Sequence, residues 1–139
     1  MPNWVRQAAA IPVFDGKVCL VTSRSGRRWV LPKGQIEPGQ TSAEAALVES
    51  WEEAGLVGEL DQDPVGTYTY QKLSREHHVI VYRMHVSEVR EVWPERLLRH
   101  RTWLSVHEAM TRIHEPGLQN ILRRVFQLRQ ISDVQAVTV

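Results

Sequence analysis

The sequence has little of several features that would point to a particular environment. It holds one cysteine, Cys19, so an internal disulfide is excluded and an oxidising compartment is not required. No uninterrupted apolar run approaches the roughly 20 residues that a membrane-spanning helix needs. Pro12 and the pair Asp15-Gly16 interrupt the apolar N-terminal stretch, which argues against a signal peptide. We therefore expect a cytoplasmic protein without membrane association.

Net charge is also small. The 17 Lys and Arg residues nearly balance the 16 Asp and Glu residues, which gives a formal net charge of +1. No global field would attract the chain to nucleic acid, so a nucleic-acid partner is not expected, and anion binding must come from local clusters. Composition is that of a soluble globular protein, and no repeat or linker divides the chain. We expect a single domain over residues 1–139.

The order of apolar stretches and turn residues predicts strands and helices in one mixed sheet. Strands are predicted at residues 7–14, 18–23, 29–31, 66–73, 77–86 and 101–104. Helices are predicted at residues 41–54, after Ser105, and at residues 117–130; capping boxes begin the first two, and Gly55 ends the first. Apolar residues on both faces of the 77–86 strand indicate helices on both sides of the sheet. The predicted fold class is α/β or α+β, with the sheet between helices.

Three glutamates are crowded together at the end of the first predicted helix. Glu49, Glu52 and Glu53 have the spacing i, i+3 and i+4, which places their Cβ atoms roughly 5–6 Å apart on one face. The helix dipole disfavours negative charge there, and no Lys or Arg in the helix offsets it. A solvated acidic face is the simplest interpretation. The placement nevertheless favours a divalent cation, and hard oxygen ligands suit Mg²⁺ or Mn²⁺.

A group of cations precedes the acidic helix in the sequence. Its members are Arg24, Arg27, Arg28 and Lys33. Acids that hold a metal beside cations that hold phosphate indicate a phosphoryl-transfer site. Ordinary solubility would explain any one of these arginines equally well. The combination with the carboxylates is what predicts substrate-phosphate contacts.

The segment from Gly34 to Leu56 resembles the signature of the Nudix hydrolases, G-x5-E-x7-R-E-U-x-E-E-x-G-U, where U is a bulky aliphatic residue. Six of the nine fixed positions match with the spacing intact: Gly34, Glu49, Glu52, Glu53, Gly55 and Leu56. Three positions differ: Gln40, Val48 and Ser50. The neighbouring stretches WVLPKG and IEPG are also similar to the family's approach to this signature.

This resemblance implies the Nudix α/β/α sandwich and metal-dependent hydrolysis of a diphosphate linked to another group. By position it implies Glu49, Glu52 and Glu53 as the metal and base residues, with Glu49 as the candidate base. The Gly34 carbonyl would be a further metal ligand, and Mg²⁺ or Mn²⁺ the cofactor.

The three departures from the signature have different expected consequences. Gln40 and Val48 replace a Glu and an Arg that in many Nudix proteins form a pair or orient a catalytic Glu. Since both replacements are uncharged, neither leaves an unpaired charge. Ser50 is expected to donate a hydrogen bond to a carbonyl one turn earlier. We expect an active enzyme with a less rigid or shifted metal arrangement.

The same resemblance implies that the substrate is a polyphosphorylated small molecule. The stretches RQAAAIPV and RTWLSVHEAM are most similar to the diphosphoinositol polyphosphate and diadenosine polyphosphate hydrolases, and the basic group above would contact the phosphates. Nucleotide-sugar hydrolases, RNA 5′-pyrophosphate hydrolases and a degenerate Nudix fold that only binds phosphate remain alternatives. The sequence does not specify the oligomeric state.

Two further groups have open interpretations. Tyr68 and Tyr70 alternate on a predicted strand, where packing is expected over stacking on a base. Residues Arg96, Arg99 and Arg101 form a second basic group, either a substrate rim or a solvated loop.

Overall fold

The computed structural model describes residues 4–126. Its strands are β1 (Trp4–Phe14), β2 (Lys17–Thr22), β3 (Trp29–Val30), β4 (Lys33–Gln35), β5 (Leu56–Leu60), β6 (Gly66–Lys72), β7 (Arg75–Val89) and β8 (Arg101–Leu104). Its helices are α1 (Ser42–Ala54), α2 (Val106–Arg112) and α3, which begins at residue 116 and continues to residue 126. The predicted end of the third helix, residues 127–130, lies outside the described residues.

The strands form one mixed, eight-stranded sheet around a parallel central pair. Strands β1 and β7 are parallel, from Trp4 opposite Glu76 to Val13 opposite His85. The main strand order is β3-β2-β1-β7-β5. Three further strands pair beside this path: β4 with β1, β6 with β7 and β8 with β2. Every pairing other than that of β1 with β7 is antiparallel. The early strand β1 therefore depends on the late strand β7 for its longest pairing.

Helices cover both faces of this sheet, as the sequence predicts. Successive residues of a strand point to opposite faces, and β1 is buried on both. On one face Ala8 and Ala10 pack with residues of α1, chiefly Ala45, Ala46 and Ala54. On the other, Ala9 and Ile11 pack with residues of α2 and α3: Ala109, Leu118, Ile121, Leu122 and Phe126. The small alanine side chains between β1 and α1 let this helix lie close to the sheet. The acidic end of α1 is thereby brought to the edges of the strands.

Helix α1 has the predicted ends. Thr41 and Glu44 form the capping box, in which the Thr41 hydroxyl accepts from the Glu44 N–H at 3.0 Å and Glu44 accepts from the Thr41 N–H at 3.1 Å. Gly55 follows the helix with φ of 68°, a left-handed conformation that favours glycine. The helix therefore stops directly after its three glutamates.

Two strands were not predicted, and each is short. Strand β4 has three residues beside Pro32, and β5 has five residues interrupted by Gly58. A Cβ atom on Gly58 would overlap the His85 carbonyl, and the register of β5 against β7 shifts there. Such a bulge weakens the alternating pattern in the sequence.

Cys19 is fully buried, as expected for a strand residue. Residues 4–126 contain no helix that is both long and apolar enough to cross a membrane.

Candidate active site

An open cleft of about 320 Å³ lies beside the acidic end of α1. Fourteen residues line it: Gln7, Ser23, Arg24, Arg28, Val30, Leu31, Lys33, Glu49, Glu52, Glu53, Tyr70, Lys72, Glu95 and Arg99. The structure thus brings together the three predicted glutamates and three of the four predicted cations. Arg27 is exposed on the same loop and is not among the lining residues.

Strand β4 meets α1 where Gly34 faces Glu49. A Cβ atom on Gly34 would overlap the Glu49 carboxylate, so this position accepts no larger residue without displacing the acid. The contact gives a physical reason for a glycine fifteen residues before a glutamate. It also brings the Gly34 backbone close to the carboxylates, as the family resemblance implies.

Glu53 is the most enclosed of the three acids, with 6% of its surface exposed. Its Oε1 accepts a hydrogen bond from the Lys33 backbone N–H at 3.2 Å. Its Oε2 accepts one from the Arg99 guanidinium at 3.2 Å. Glu53 is therefore fixed from both sides, by β4 and by the segment that precedes β8.

The prediction for the second basic group needs correction at Arg99. It was expected to lie on a substrate rim or a solvated loop, but it is only 8% exposed. Besides Glu53, its guanidinium donates to the Thr22 carbonyl at 2.9 Å and to the Glu95 carboxylate at 3.0 Å. Arg96 is exposed, as a solvated loop residue would be.

The segment between β7 and β8 also closes the C-terminal end of α1. The last carbonyls of a helix lack partners within the helix. Here four successive carbonyls accept from this segment and from the first residue of β8: Glu52 from Glu95 N (3.0 Å), Glu53 from Trp93 Nε1 (3.0 Å), Ala54 from Arg101 Nη1 (2.8 Å) and Gly55 from Arg90 N (2.9 Å). The Arg101 guanidinium also stacks over the Trp93 ring at 4.1 Å. Arg101 therefore supports the carboxylate helix.

Burial and mutual repulsion dominate the electrostatics of the acids. Burial, followed by the charges of Glu53 and Glu52, raises the pKa of Glu49 to about 8. Burial also raises the pKa of Glu53, although Arg99 and the Lys33 N–H oppose that shift. Two adjacent carboxyls with raised pKa values indicate that negative charge is poorly compensated at this end of α1. A cation at the site would supply the missing compensation.

The carboxylate side chains are of the chemical type that binds a hard divalent cation, but in this structure they are not arranged around a common point. Within residues 4–126, no three His, Cys, Asp or Glu side chains are placed to hold a metal ion together. Glu53 faces Lys33 and Arg99 instead. All donors at the site are oxygens, which Mg²⁺ and Mn²⁺ prefer. Each carboxylate has about four lone-pair positions, so rotation of these side chains would leave oxygens free for a cation.

Part of the lining of the cleft carries positive charge. Four cationic residues, here called the cationic wall, contribute to it: Arg24, Arg28, Lys33 and Lys72, of which Lys72 was not among the predicted residues. Burial lowers the pKa of Lys33, which reflects the cost of enclosing an ammonium group. Among the described residues, no carboxylate lies within ion-pair distance of the Lys33 ammonium, while Arg28 is 3.8 Å from Glu115. A phosphate in the cleft would give Lys33 an anionic partner.

The two tyrosines have different environments. Tyr68 is 5% exposed and belongs to the core, as expected. Tyr70 lines the cleft and donates from its hydroxyl to Gln7 Oε1 at 2.7 Å. The Tyr70 ring stacks on His77 at 4.7 Å between centroids, and the Lys33 ammonium lies 5.4 Å from its centroid. The ring thus already packs against other side chains, which favours the packing interpretation.

The three departures from the signature are explained locally. Gln40 accepts from the Glu37 N–H at 3.0 Å and closes the loop before α1. Ser50 is fully buried and donates to the Ala46 carbonyl at 2.8 Å, which confirms the predicted hydrogen bond. Val48 is 40% exposed. Glu95 was missed as a site residue, and Arg99 was considered only as part of a substrate rim or a solvated loop. Their i, i+4 spacing in PERLLRH was the available signal for the pair.

Comparison with known proteins shows the family to which the chain belongs. A model of the NUDIX domain matches residues 4–125, so the chain belongs to the Nudix family. It is 33% identical over 121 residues to Nudix hydrolase 4 of Arabidopsis thaliana, covering 84% of this chain and 57% of that protein. It is 35% identical over 133 residues to diphosphoinositol polyphosphate phosphohydrolase 3-beta of Bos taurus, covering 89% and 80%.

Solved structures agree on the fold. A crystal structure of C. elegans Ap4A hydrolase matches with a TM-score of 0.74 at 18% identity, covering 90% of this chain and 98% of that one. This likeness confirms the predicted sandwich and carries no more than the fold. The chain spans 57% to 63% of the length of three plant relatives, which are all named Nudix hydrolases.

Proposed function

We propose that the protein hydrolyses a diphosphate bond in a polyphosphorylated small molecule, with Mg²⁺ or Mn²⁺ as cofactor. The observation that carries this proposal is the cleft itself, which three glutamates of one helix line together with four cationic residues. Carboxylates alone would repel phosphate, and cations alone would need no acidic helix. Both together fit a complex of phosphate with a divalent cation.

The carboxylate end of α1 is the proposed metal-holding part. Glu49, Glu52 and Glu53 would supply carboxylate oxygens, and Gly34 its carbonyl oxygen. A bound divalent cation would lower the pKa of a coordinated water and neutralise charge on the phosphates. The contacts of Glu53 with β4 and Arg99 limit how this carboxylate can turn, and the packing of Gly34 against Glu49 limits where that acid can move.

Glu49 is the proposed general base. It is half-buried beside the cleft, and burial and the charges of Glu53 and Glu52 raise its pKa to about 8 before a cation binds. In this role a carboxylate oxygen of Glu49 accepts the proton of the attacking water. The water oxygen then bonds to a phosphorus atom held between α1 and the cationic wall, the bond from that phosphorus to the bridging oxygen breaks, and the other phosphate leaves with the bridging oxygen. Because the cleft holds the reacting groups in place, their positioning contributes to the rate.

The cationic wall is the proposed phosphate-binding part. Lys33 has no carboxylate partner among the described residues, and Arg24 is exposed at the mouth of the cleft. Arg28 is nearly half-exposed, and its long contact with Glu115 leaves donors free for a phosphate oxygen. Arg27 remains a proposed contact for a substrate longer than the cleft.

Diphosphoinositol polyphosphates are the first substrates to test, because the similarity to the bovine phosphohydrolase extends over 80% of that protein. Diadenosine polyphosphates come next. A nucleotide sugar and a 5′-triphosphorylated RNA complete the panel as the alternatives. Each would be incubated with Mg²⁺, with Mn²⁺ and with EDTA, and product release would be measured.

Lys33→Met tests the cationic wall in the same assay, with Lys17→Met as the matched control, since Lys17 is exposed at the start of β2. Loss of the Lys33 ammonium is expected to raise KM about tenfold, in line with one charge-assisted hydrogen bond. Metal-dependent turnover of any panel member would support the proposal. Binding of these substrates without any turnover would contradict it and favour a phosphate-binding module.

A further inference from the structure

The helix that carries the three glutamates contains no cation of its own. Its sequence from Ser42 to Ala54 lacks Lys and Arg, and its last turn has no basic residue. Position 48, where the signature has arginine, holds a valine that is 40% exposed. The most buried acid, Glu53, therefore needs a charged partner from another part of the chain.

Arg99 is that partner, and its backbone is fixed to the sheet. Next to it, the His100 N–H donates to the Thr22 hydroxyl, and the Thr22 N–H donates to the His100 carbonyl, both at 3.0 Å. These bonds extend the pairing of β2 with β8 by one residue. The guanidinium thus starts from a rigid strand end and not from a free loop.

All three nitrogen atoms of the Arg99 guanidinium donate hydrogen bonds. Nη1 donates to the Thr22 carbonyl, Nε to Glu95 Oε1, and Nη2 to Glu53 Oε2. A planar fork can make three such contacts in fixed directions, whereas an ammonium group on a flexible stem cannot. The arrangement holds Glu53 at a set distance from Glu95 and from the end of β2.

We propose that Arg99 is a positioning residue for Glu53. Its guanidinium sets the orientation of Glu53 through Oε2, while the Lys33 N–H sets it through Oε1. This inference rests on the proposed hydrolase function.

Three variants separate positioning from charge. Arg99→Met removes the fork and the charge, Arg99→Lys keeps the charge without the fork, and Arg96→Met is the control, since Arg96 is exposed on the same segment. Steady-state kinetics would be measured on a panel substrate with saturating Mg²⁺, and thermal unfolding would identify the variants that remain folded. Because a small misplacement of a catalytic group costs about 100-fold in rate, kcat is expected to fall by about 10- to 100-fold in both Arg99 variants. KM should change by less than about threefold, since uniform substrate binding is not removed.

Three outcomes would decide between these roles. Wild-type kcat in Arg99→Lys would overturn the inference, because charge alone would then suffice. A rise in KM without a fall in kcat would also overturn it and make Arg99 a substrate contact. Absence of metal-dependent turnover in the wild-type protein, by contrast, would overturn the proposed function together with the inference.

Discussion

The Cα atom of Gly34 packs against the carboxylate of Glu49, so closely that a Cβ atom on Gly34 would overlap the acid. A strand of three residues and the last turns of a helix therefore meet at a point where only glycine fits. This contact determines how near the backbone of β4 comes to the glutamates.

Replacing Gly34 by alanine should move Glu49 without unfolding the protein. The backbone at Gly34 is not left-handed, so alanine adds a steric conflict and little conformational strain. Hydrolysis is expected to fall about 100-fold, since small displacements of a catalytic group have effects of that size. Circular dichroism and kinetics would check both parts, with Gln35→Ala, an exposed neighbour on β4, as the control. Full activity of Gly34→Ala would argue against a catalytic position for Glu49.

Trp93 is expected to stabilise the end of α1 through one hydrogen bond. Trp93→Phe removes the N–H that the Glu53 carbonyl accepts but keeps an aromatic ring for Arg101. The free energy of unfolding should fall by about 0.5–1.5 kcal/mol, the usual net value of such a bond. Trp51→Phe is the matched control, because Trp51 is exposed on α1. Chemical denaturation would measure both, and equal losses would contradict the role assigned to the Trp93 N–H.

Metal binding should release a proton from Glu49 below about pH 8. The pKa of Glu49 is raised from 4.5 to about 8, so the carboxyl is mostly protonated at neutral pH without metal. Its raised pKa favours folding fully below pH 4.5, and that contribution is lost as the pH rises through about 8. A cation binds the ionised form, so its apparent affinity should rise about tenfold per pH unit from about pH 6 and level off above pH 8.

Calorimetry in buffers of different ionisation enthalpy would count the protons released on Mn²⁺ binding. Glu49→Gln is the informative comparison, because it removes this titrating group and should reduce the pH dependence to the part that Glu53 contributes. An affinity that is flat between pH 6 and pH 8 in the wild-type protein would show that Glu49 is already ionised before the metal binds.

Local sequence pattern predicted the elements that have strong local signals. The capping boxes at Thr41 and Ser105 and the terminating Gly55 fixed both ends of α1 and the start of α2. The three-glutamate cluster was predicted because all its members share one helix face. Strand β5 escaped prediction because Gly58 interrupts its alternation at a bulge that only the partner strand reveals.

The second half of the site depends on contacts between distant parts of the sequence. Arg99 and Glu53 are separated by 46 positions, and Trp93 Nε1 and the Glu53 carbonyl by 40. No periodicity within one segment encodes such a pair. The sequence could show that α1 lacks a cation, but only the folded chain identifies Arg99 as the residue that supplies it.

Direct Mn²⁺ binding by the purified protein, without any substrate, tests the central claim that the glutamates of α1 hold a divalent cation. Electron paramagnetic resonance would count the bound Mn²⁺ in the wild-type protein, in Glu53→Gln and in Glu59→Gln, an exposed acid on β5. The wild type and Glu59→Gln should bind alike, and Glu53→Gln should bind at least about tenfold more weakly. Equal binding by Glu53→Gln, or no binding by the wild type, would contradict the claim.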